Sequence, residues 1–404
     1  MKKSLTTAAA LVLAFGAAAC GTTSGGSGSS GGGAGNAGSF QPPDVPMKKS
    51  LGTMEGQVNI LAWPGYAEDG SNDKSVDWVT PFEKKTGCQA NVKYFGTSDE
   101  ALTLMKTGEY DVVSASGDAS LRLIASGDVA PVNTKLLKSY ADIQPFLKNR
   151  AWNSVGGQMY GIPQGWGANL LMWRTDKVKP APTGWGAVFQ KSSPYAGKIT
   201  AYDSPIYIAD AGLYLMNTQP KLGIKNPYAL DQKQFDAATA LLKQQKPLVA
   251  EYWGDYVKQG QGLASGSIAQ GQGWQLTANL ANADGDKVGT TKPKEGATGW
   301  SDTWMVKKDT ANINCSYQWL NYVVSPEVNA QIAEYFGEAP SNQKSCALTQ
   351  NKDHCAQFHA QETGFWNDVY YWTTPTANCL DGRTDTKCIA YDDWVKAWSQ
   401  LRSS

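Results

Sequence analysis

Residues 57–125 read QVNILAWPGYAEDGSNDKSVDWVTPFEKKTGCQANVKYFGTSDEALTLMKTGEYDVVSASGDASLRLIA, and this stretch decides the fold class. Three strand-like runs alternate in it with three helix-like runs. The strand-like runs are QVNILAW, QANVKYF and YDVVSAS, and the helix-like runs are VDWVTPFEKKTG, SDEALTLMKTG and DASLRLIASG. Three strand–helix units in so short a stretch predict an α/β fold built on a parallel sheet with helices on both faces.

Cap and stop signals mark the ends of these helices. Gly87 and Gly108 are typical helix terminators. Ser98 predicts the N-cap of the second helix, and Asp118 predicts the N-cap of a third helix that begins at Ala119. The helix N-termini therefore follow strands directly, at the sheet edge where α/β proteins bind ligands.

A second α/β series follows a different kind of segment. The run MYGIPQGWGANLLMWRTD at 159–176 is a strand broken by Pro163 and Gly165, and it is a candidate for the chain crossing between two lobes. Beyond it come the strand-like runs KITAYD and GSIAQGQGW and the helix-like runs PIYIADAGLYLMN and DQKQFDAATALLKQQKP. The chain from Gln57 onward exceeds one typical domain, so two lobes are expected.

The N-terminus, MKKSLTTAAALVLAFGAAAC, has the organisation of an export signal. Two lysines precede an apolar run that is too short to span a membrane, so residues 1–19 are predicted to be a signal peptide. Cys20 is predicted to carry a lipid anchor, although an ordinary signal cleavage would leave it incidental. Residues 20–56 then hold the anchor cysteine and a flexible Gly/Ser tether that lets a domain stand off a membrane.

Charge and cysteine content narrow the class further. The 36 Lys and Arg residues balance 36 Asp and Glu residues, which argues against nucleic acid as a partner.

An even set of cysteines beyond Cys20 suggests disulfides in an exported chain. Short separations favour the pairs Cys346–Cys355 and Cys379–Cys388, which leaves Cys88 with Cys315, but other connectivities stay open.

Aromatic and acidic side chains recur where the predicted strands end. Asp302 lies between Trp300 and Trp304, and a buried carboxylate needs a cationic or hydrogen-bonding partner. No Lys or Arg occurs in the set, and aromatic faces attract cations by about 0.5–2 kcal/mol each. These positions predict a site for a small organic cation: Trp63, Tyr66, Ser114, Ser116, Tyr202, Asp203, Trp274, Trp300 and Asp302.

Six segments together carry a resemblance: ILAWPGY, DWVTPFEKKTGC, GEYDVVSASGDASLRLI, AYDSPIYIADA, KEGATGWSDT and FGEAPSN. From Val58 to about Trp372 the chain resembles the spermidine/putrescine-binding family of ABC-importer periplasmic solute-binding proteins. AYDSPIYIADA and GWSDT resemble its YdcS-type subgroup. The resemblance implies a two-lobed periplasmic-binding-protein fold of type II, in which each lobe is a sheet flanked by helices and a hinge joins the two.

The same resemblance implies how the protein works. A small cationic ligand, a diamine or polyamine, would be held in the cleft and delivered to an ABC permease in the membrane. No cofactor or metal is implied, and the protein is expected to be a monomer, anchored by lipid in a periplasm or on the outer face of the cytoplasmic membrane. The expected boundaries are 57–164 plus 301–345 for lobe 1 and 165–300 plus 346–404 for lobe 2, with the tail's assignment open.

Site residues follow from the matching positions. An aromatic box falls on Trp63, Tyr66, Trp274 and Trp300, and a serine contact falls on Ser114 or Ser116. Asp302 would meet one amino group, and Asp203 would be the acid of the opposite lobe. Two positions depart from the family pattern: Ile206 stands where a glutamate is common, and Glu338 stands where an aromatic is expected. Both departures favour a smaller diamine or similar cation over a long polyamine.

Three other functions compete with amine binding. An exported hydrolase would need His354 or His359 in the cleft, since these are the only histidines, and the one G-x-S-x-G match lies in the tether. The run DHCAQFH fits no strong metal-ligand spacing. An importer component for a non-polyamine solute is the second alternative. A surface adhesion or scaffold protein would not need acids and indoles at the sheet ends.

Overall fold

The computed structural model describes residues 41–404 except 284, 286 and 363. The predicted signal peptide, the predicted anchor Cys20 and most of the predicted tether lie outside the described residues. Within the described part, no helix is long and apolar enough to cross a membrane.

The secondary structure alternates strands and helices as the sequence predicts. The strands are β1 Gln57–Ala62, β2 Gln89–Tyr94, β3 Val112–Ala115, β4 Val129–Ala130, β5 Ser154–Val155, β6 Gln158–Met159, β7 Gly161–Pro163, β8 Gly165–Ala168, β9 Leu170–Arg174, β10 Ile199–Tyr202, β11 Val249–Trp253, β12 Gln270–Gly273, β13 Val288–Thr291, β14 Ala297–Trp300, β15 Thr303–Lys307, β16 Ala339–Pro340 and β17 Val369–Tyr371. The α-helices are α1 Val79–Thr86, α2 Ser98–Met105, α3 Gly117–Ala125, α4 Gly186–Phe189, α5 Ile208–Thr218, α6 Gln232–Gln245, α7 Tyr256–Ser265, α8 Gln275–Asn282, α9 Ile313–Val323, α10 Pro326–Phe336, α11 His354–Gln357 and α12 Tyr391–Ser403. Short 3₁₀ helices lie at Thr134–Leu136, Lys138–Asp142, Pro145–Leu147, Pro205–Tyr207, Pro220–Leu222, Lys246–Leu248 and Ser345–Ala347.

Lobe 1 is built on the sheet ordered β2-β1-β3-β15-β4, with β7 also paired to β15. Strand β1 runs parallel to β2 and β3, with Ile60 opposite Val92 and Val112. Strand β15 runs antiparallel to β3. The sheet is therefore mixed rather than parallel throughout. The chain reaches β15 directly from lobe 2, through β14, and not through a strand–helix unit of lobe 1.

Lobe 2 is built on the sheet ordered β11-β10-β12-β9-β13. Strand β10 is parallel to β11 and β12, whereas β9 is antiparallel to both β12 and β13. Helix α6 begins with a capping box in which Asp231 and Gln234 satisfy each other's backbone N–H groups. Its apolar face contributes Phe235, Ala238 and Leu242 to the lobe 2 core.

A third sheet, ordered β16-β8-β14-β17, joins the lobes. Strand β8 leads from β7 of lobe 1 to β9 of lobe 2, and β14 leads back from β13 to β15. These two crossing strands pair antiparallel, with Gly299 opposite Ala168. The protein is thus a two-lobed α/β fold whose lobes are connected by adjacent strands.

Two of the predicted caps differ by one or two residues from those in the structure. Gly87 ends α1 in the left-handed region at φ 71°, as expected. The N-cap of α2 is Thr97, whose side chain accepts from the Glu100 N–H, so the prediction of Ser98 was wrong. Helix α3 begins at Gly117 after Ser116 in the cap position, so Asp118 lies in its first turn and is not the N-cap.

All three disulfides favoured by the spacing are confirmed: Cys88–Cys315, Cys346–Cys355 and Cys379–Cys388. The first links the start of β2 to α9 across a sequence separation of 227 residues. The other two each close a separation of 9 residues in the C-terminal tail.

The C-terminal tail, which the sequence placed with lobe 2 while its assignment stayed open, contributes to both cores. Phe358 and Ala360 pack in the lobe 1 core. Trp394 and Trp398 of α12 pack in the lobe 2 core. Between them, β17 pairs in parallel with β14 of the connecting sheet.

Candidate functional site

The centre of the candidate site is a tyrosine between two acids. Tyr66 lies in the loop after β1, Asp302 lies in the link between β14 and β15, and Glu338 directly precedes β16. Tyr66 Oη is 3.0 Å from Asp302 Oδ2 and 2.9 Å from Glu338 Oε2. All three side chains are buried. The structure therefore brings together three residues that the sequence proposed for one site.

Glycines in β8 allow two site residues to approach the crossing strand closely. A Cβ atom on Gly165 would lie 2.2 Å from the carboxyl carbon of Glu338. A Cβ atom on Gly167 would lie 2.5 Å from Trp300 Cζ2. Both distances are below van der Waals contact, so the absence of side chains at Gly165 and Gly167 makes room for the acid and the indole.

The acid pair holds a proton, because a phenol can donate only one hydrogen. If Tyr66 donates to one carboxylate, its contact with the other requires a protonated carboxyl group as donor. Burial, followed by the charge of Asp302, raises the pKa of Glu338 well above its usual range. Burial raises the pKa of Asp302 to about 6. The resulting order is a neutral Glu338 that donates to Tyr66, which in turn donates to an ionised Asp302.

The second oxygen of Asp302 has no partner within the chain. Asp302 is 5% exposed, and its Oδ1 atom makes no hydrogen bond. It is the only carboxylate oxygen with this property among the buried atoms of the described residues. Ser116 approaches the carboxyl group and opposes the rise of its pKa, but it does not complete a hydrogen bond to Oδ1. An unpaired buried carboxylate oxygen is costly, and a cationic donor would offset that cost.

Aromatic rings continue from the acids into lobe 2, each close to the next. Tyr66 lies 4.4 Å from Phe336, and Phe336 lies 6.0 Å from Trp300, ring centre to ring centre. The ring centres of Trp300 and Trp274 are 5.8 Å apart, and those of Trp274 and Tyr202 are 6.0 Å apart. Tyr202 and Trp372 follow at 5.4 Å. The predicted Trp274 and Trp300 therefore belong to one aromatic wall. Tyr202 was predicted for the cation site but not for the aromatic box. Phe336 and Trp372 were not predicted, although Phe336 opens the segment FGEAPSN.

Trp274 is fixed by a polar network of lobe 2. Its Nε1 donates to Asn169 Oδ1 at 2.9 Å, and Asn169 Nδ2 donates to Thr298 Oγ1 at 2.7 Å. Thr298 Oγ1 then donates to Asp210 Oδ1 at 2.7 Å, and Gln272 donates to the same oxygen at 2.9 Å. Burial raises the pKa of Asp210 to about 7. This network gives Trp274 one orientation.

Three further predicted residues of lobe 1 lie around this centre with different roles. Ser114 Oγ accepts the Trp63 backbone N–H at 3.0 Å, so its hydroxyl holds the loop after β1. The Trp63 ring packs 4.4 Å from Phe95, and its Nε1 is buried without a partner. Ser116 acts on the Asp302 carboxyl group, whose pKa it lowers.

Asp203 is not brought to the acid pair. Its Oδ1 accepts from Arg402 Nε at 3.0 Å and from Trp398 Nε1 at 3.2 Å, and both donors belong to α12. The carboxylate is thus neutralised by a guanidinium of its own chain. Ile206, the other position that the resemblance singled out in this segment, is 1% exposed and packs in the lobe 2 core.

Neither histidine forms a catalytic arrangement. His354 Nε2 lies 2.8 Å from the Glu338 carbonyl oxygen, and burial lowers the pKa of its ring. His359 stacks on Phe365 at 3.8 Å, and its Nδ1 lies 2.9 Å from Glu362. The described residues contain no group of three or more His, Cys, Asp or Glu side chains that could hold a metal ion.

A large cavity opens away from the acid pair. It measures about 840 Å³ and is lined by residues of both lobes, among them Trp152, Tyr228 and Tyr371. Neither acid of the pair lines it. Trp152 and Tyr371 stack at 4.7 Å on its wall.

Together the fold and the site define a two-lobed solute-binding protein. The family model for bacterial extracellular solute-binding proteins matches residues 77–360. The chain belongs to this family, and it is a binding protein rather than an enzyme. The YdcS-type subgroup stays a prediction.

Relatives and solved structures agree with this assignment. The chain is 24% identical over 315 residues to a putrescine/agmatine-binding protein of Pseudomonas aeruginosa, covering 71% of this chain and 82% of the relative. It is also 24% identical over 322 residues to the putrescine-binding periplasmic protein PotF of Escherichia coli, covering 75% and 83%.

Two solved structures share the fold at low identity. The Tp0655 lipoprotein of Treponema pallidum matches with a TM-score of 0.69 at 15% identity, covering 86% of this chain and all (100%) of that one. The spermidine/putrescine substrate-binding protein PotD of Streptococcus pneumoniae matches with a TM-score of 0.66 at 18% identity, covering 86% and 99%. The predicted fold class, a two-lobed periplasmic-binding-protein fold, is confirmed.

Proposed function

We propose that this protein binds a small organic cation of the putrescine or polyamine type between its lobes and delivers it to the permease of an ABC importer. The observation that carries the proposal is the buried Asp302 Oδ1, which has no partner and lies beside an aromatic wall. No Lys or Arg is among the groups that set the pKa of Asp302 or Glu338. A cation from outside would supply the missing charge.

The chemistry of the lining supports an amine over an anion or a sugar. An ammonium group donates up to three hydrogen bonds, and Asp302 Oδ1 is an unused acceptor. The faces of Trp300 and Trp274 add cation–π attraction of about 0.5–2 kcal/mol each. An anion would instead meet the negative carboxylate, which disfavours it.

The names of the relatives point to the same ligand class. Proteins named for binding putrescine, agmatine or spermidine align with most of this chain, although at about a quarter identity. We infer a similar ligand here from the combination of these names with the acid and aromatic side chains, since neither alone identifies it.

We further propose a hinge at the crossing strands β8 and β14. The lobes would then be 57–164 plus 301–345 and 165–300, as expected from the sequence, while the tail 346–404, which was expected in lobe 2, contributes to both cores. Supporting this, the chain passes between the two sheets through these adjacent strands. The Trp300 ring sits on Gly167 of β8, so ligand contact and hinge geometry would be coupled.

Export and anchoring complete the proposal. Residues 1–19 would be removed as a signal peptide, and Cys20 would carry lipid that holds a monomeric protein at a membrane surface. Labelling with a radioactive fatty acid tests the anchor. The chain should be labelled, and Cys20→Ala should abolish the label while export continues. A labelled Cys20→Ala protein would refute this anchor.

A panel of ligands in a thermal-shift assay tests the binding function. A ligand at 100 times its dissociation constant stabilises the folded protein by about 2.7 kcal/mol. Putrescine, agmatine and spermidine are compared with neutral sugars and with dicarboxylates. A shift with the amines alone supports the proposal. A shift with sugars or anions, and none with amines, favours an importer component for a different solute.

A further inference from the structure

The acids near the site are not equivalent, because most are already engaged by their own chain. Asp118 accepts from Ser98 Oγ at 2.9 Å, and its other oxygen lies 3.5 Å from Tyr391 Oη. Asp203 is bound by Arg402 at 3.0 and 3.2 Å. Burial raises the pKa of Tyr202, and the charges of Asp118, Asp302 and Asp203 raise it further. Asp118 and Asp203 have no unpartnered buried oxygen, whereas Asp302 does.

The acid pair itself offers one charge and not two. Tyr66 can reach both carboxylates by hydrogen bonds only if one of them is protonated. Glu338 is the more enclosed, with no exposed surface, and its second oxygen faces Gln164 Nε2 at 3.4 Å. Asp302 alone keeps an unpartnered oxygen. The site therefore presents one ionised carboxylate and one neutral acid.

The aromatic wall ends at Tyr202 and at Trp372 of the C-terminal tail. Trp372 stacks on Tyr202 with 5.4 Å between ring centres and 11° between planes. The backbone N–H of Trp372 donates to the Gly299 carbonyl, one residue before Trp300, at 2.7 Å. Its own carbonyl lies directly on Gly117, where a Cβ atom would be only 1.8 Å from the oxygen.

Thr374 fastens this segment of the tail to lobe 1. Its hydroxyl lies 2.9 Å from the Asp118 carbonyl oxygen and 3.2 Å from that of Gly117. On the lobe 2 side, Tyr228 Oη donates to the Tyr370 carbonyl at 2.9 Å. Residues 370–374 thus span the two lobes beside the first turn of α3, and no unengaged carboxylate oxygen is buried on this side.

We propose that the site recognises a compact cation with a single ammonium group, which binds Asp302, while the uncharged end of the ligand faces Tyr202 and Trp372. This inference rests on the proposed amine-binding function and narrows it. Glu338 acts as a neutral hydrogen-bonding group that orients Tyr66. The tail segment 370–374 sets the uncharged end of the site.

Two ligands of equal length test the single-charge site by isothermal titration calorimetry at neutral pH. Putrescine carries two ammonium groups, and 4-aminobutan-1-ol replaces one of them by a hydroxyl group. We expect their dissociation constants to agree within about threefold, because a second ammonium finds no free carboxylate. Butane-1,4-diol, which has no charge, serves as the control and should not bind.

A pair of isosteric variants tests which acid carries the charge. Asp302→Asn should weaken 4-aminobutan-1-ol binding by about 10–150-fold, the usual cost of a hydrogen bond to a charged group. Glu338→Gln keeps a neutral donor and should weaken binding less, by under about tenfold. Circular dichroism and melting temperature establish that both variants are folded.

The outcomes separate this inference from the proposed function. Putrescine binding more than about thirtyfold tighter than 4-aminobutan-1-ol would overturn the single-charge site but leave amine binding intact. An equal or larger loss in Glu338→Gln than in Asp302→Asn would overturn the assignment of the charge. Failure of both amines to bind the wild-type protein would overturn the proposed function and this inference with it.

Discussion

Asp302 and Glu338 share the hydroxyl group of Tyr66, which lies 3.0 Å from one carboxylate and 2.9 Å from the other. Two buried acids so close together cannot both ionise without a cation, because their repulsion acts in a medium of low polarity. One of the two carboxyl groups therefore keeps its proton and donates to the Tyr66 hydroxyl, which in turn donates to the other carboxylate. The same arrangement leaves Asp302 Oδ1 without a partner, so this oxygen is available to accept a hydrogen bond from the proposed ligand.

Asparagine in place of Asp302 should reduce amine affinity, whereas asparagine in place of Asp203 should not. The first change removes the charge beside the aromatic wall and should cost about 1.5–3 kcal/mol of binding free energy. The second removes a carboxylate that already pairs with Arg402 on the surface. Calorimetry with putrescine measures both. An equal loss of affinity in Asp203→Asn would show that Asp203 also contacts the ligand.

Amine affinity should depend on pH through Asp302. Burial, with a smaller contribution from the charge of Asp118, raises the pKa of Asp302 to about 6. Only the ionised form pairs with an ammonium group, so affinity should rise as pH increases from 5 to 7 and then level off. Asp302→Asn should remove this rise. A wild-type affinity that is flat between pH 5 and 7 would contradict the assignment.

The stability of the ligand-free protein should respond with the opposite sign. Because the pKa of Asp302 is higher in the folded than in the unfolded state, the folded protein binds more protons between about pH 4 and 6. The contribution of Asp302 to the free energy of unfolding therefore falls as pH rises through this range and is constant above it. Urea unfolding of wild type and Asp302→Asn at pH 4.5 and 7 isolates this contribution, since Asp210 is present in both.

Alanine at Gly167 should disturb the site through packing alone. The new Cβ atom would lie 2.5 Å from Trp300 Cζ2, so the indole must move. Overpacking of this kind costs about 1–3 kcal/mol, and a displaced Trp300 should also weaken amine binding. Gly254→Ala is the matched control, because nothing lies within 4 Å of its Cβ position. Equal binding by Gly167→Ala and wild type would show that Trp300 does not contact the ligand.

The Cys88–Cys315 disulfide should stabilise the protein more than the short disulfides of the tail do. It closes a separation of 227 residues, whereas Cys379–Cys388 closes 9, and the entropy removed from the unfolded chain grows with loop length. Replacing Cys88 and Cys315 by alanine should lower the free energy of unfolding by about 2–5 kcal/mol. Urea denaturation of this variant and of the Cys379, Cys388 double alanine variant gives the comparison. A larger loss in the latter would contradict the loop-length argument.

Helix caps show how far local sequence could be interpreted. The glycine after α1 and the Asp231–Gln234 capping box involve neighbouring residues only, and such signals predict element boundaries well. Asp118 looked like a cap for the same local reason. In the structure its carboxylate turns to Ser98 and Tyr391, which are distant in sequence. A cap motif cannot reveal such competing partners.

The residues of the candidate site also differ in whether local sequence could predict them. Tyr66, Trp274 and Asp302 follow strands and Trp300 ends one, so they could be proposed because strand ends converge in α/β folds. Asp203 also follows a strand, but the guanidinium of Arg402, near the C-terminus, binds its carboxylate. Phe336 ends helix α10, and Trp372 follows β17, a tail strand that the sequence did not predict, so their places in the aromatic wall depend on how these distant segments pack.

By itself the sequence determined the alternation of strands and helices, the two-lobed class and the residue types available for a cation site. These follow from hydrophobic periodicity and turn chemistry, which are local. Only the tertiary structure decided which acids remain unpaired, because neutralisation depends on partners brought from distant parts of the chain. Arg402 reaches Asp203 in this way, and Tyr66 joins Asp302 to Glu338. Long-range packing therefore decided where the negative charge of the site is left.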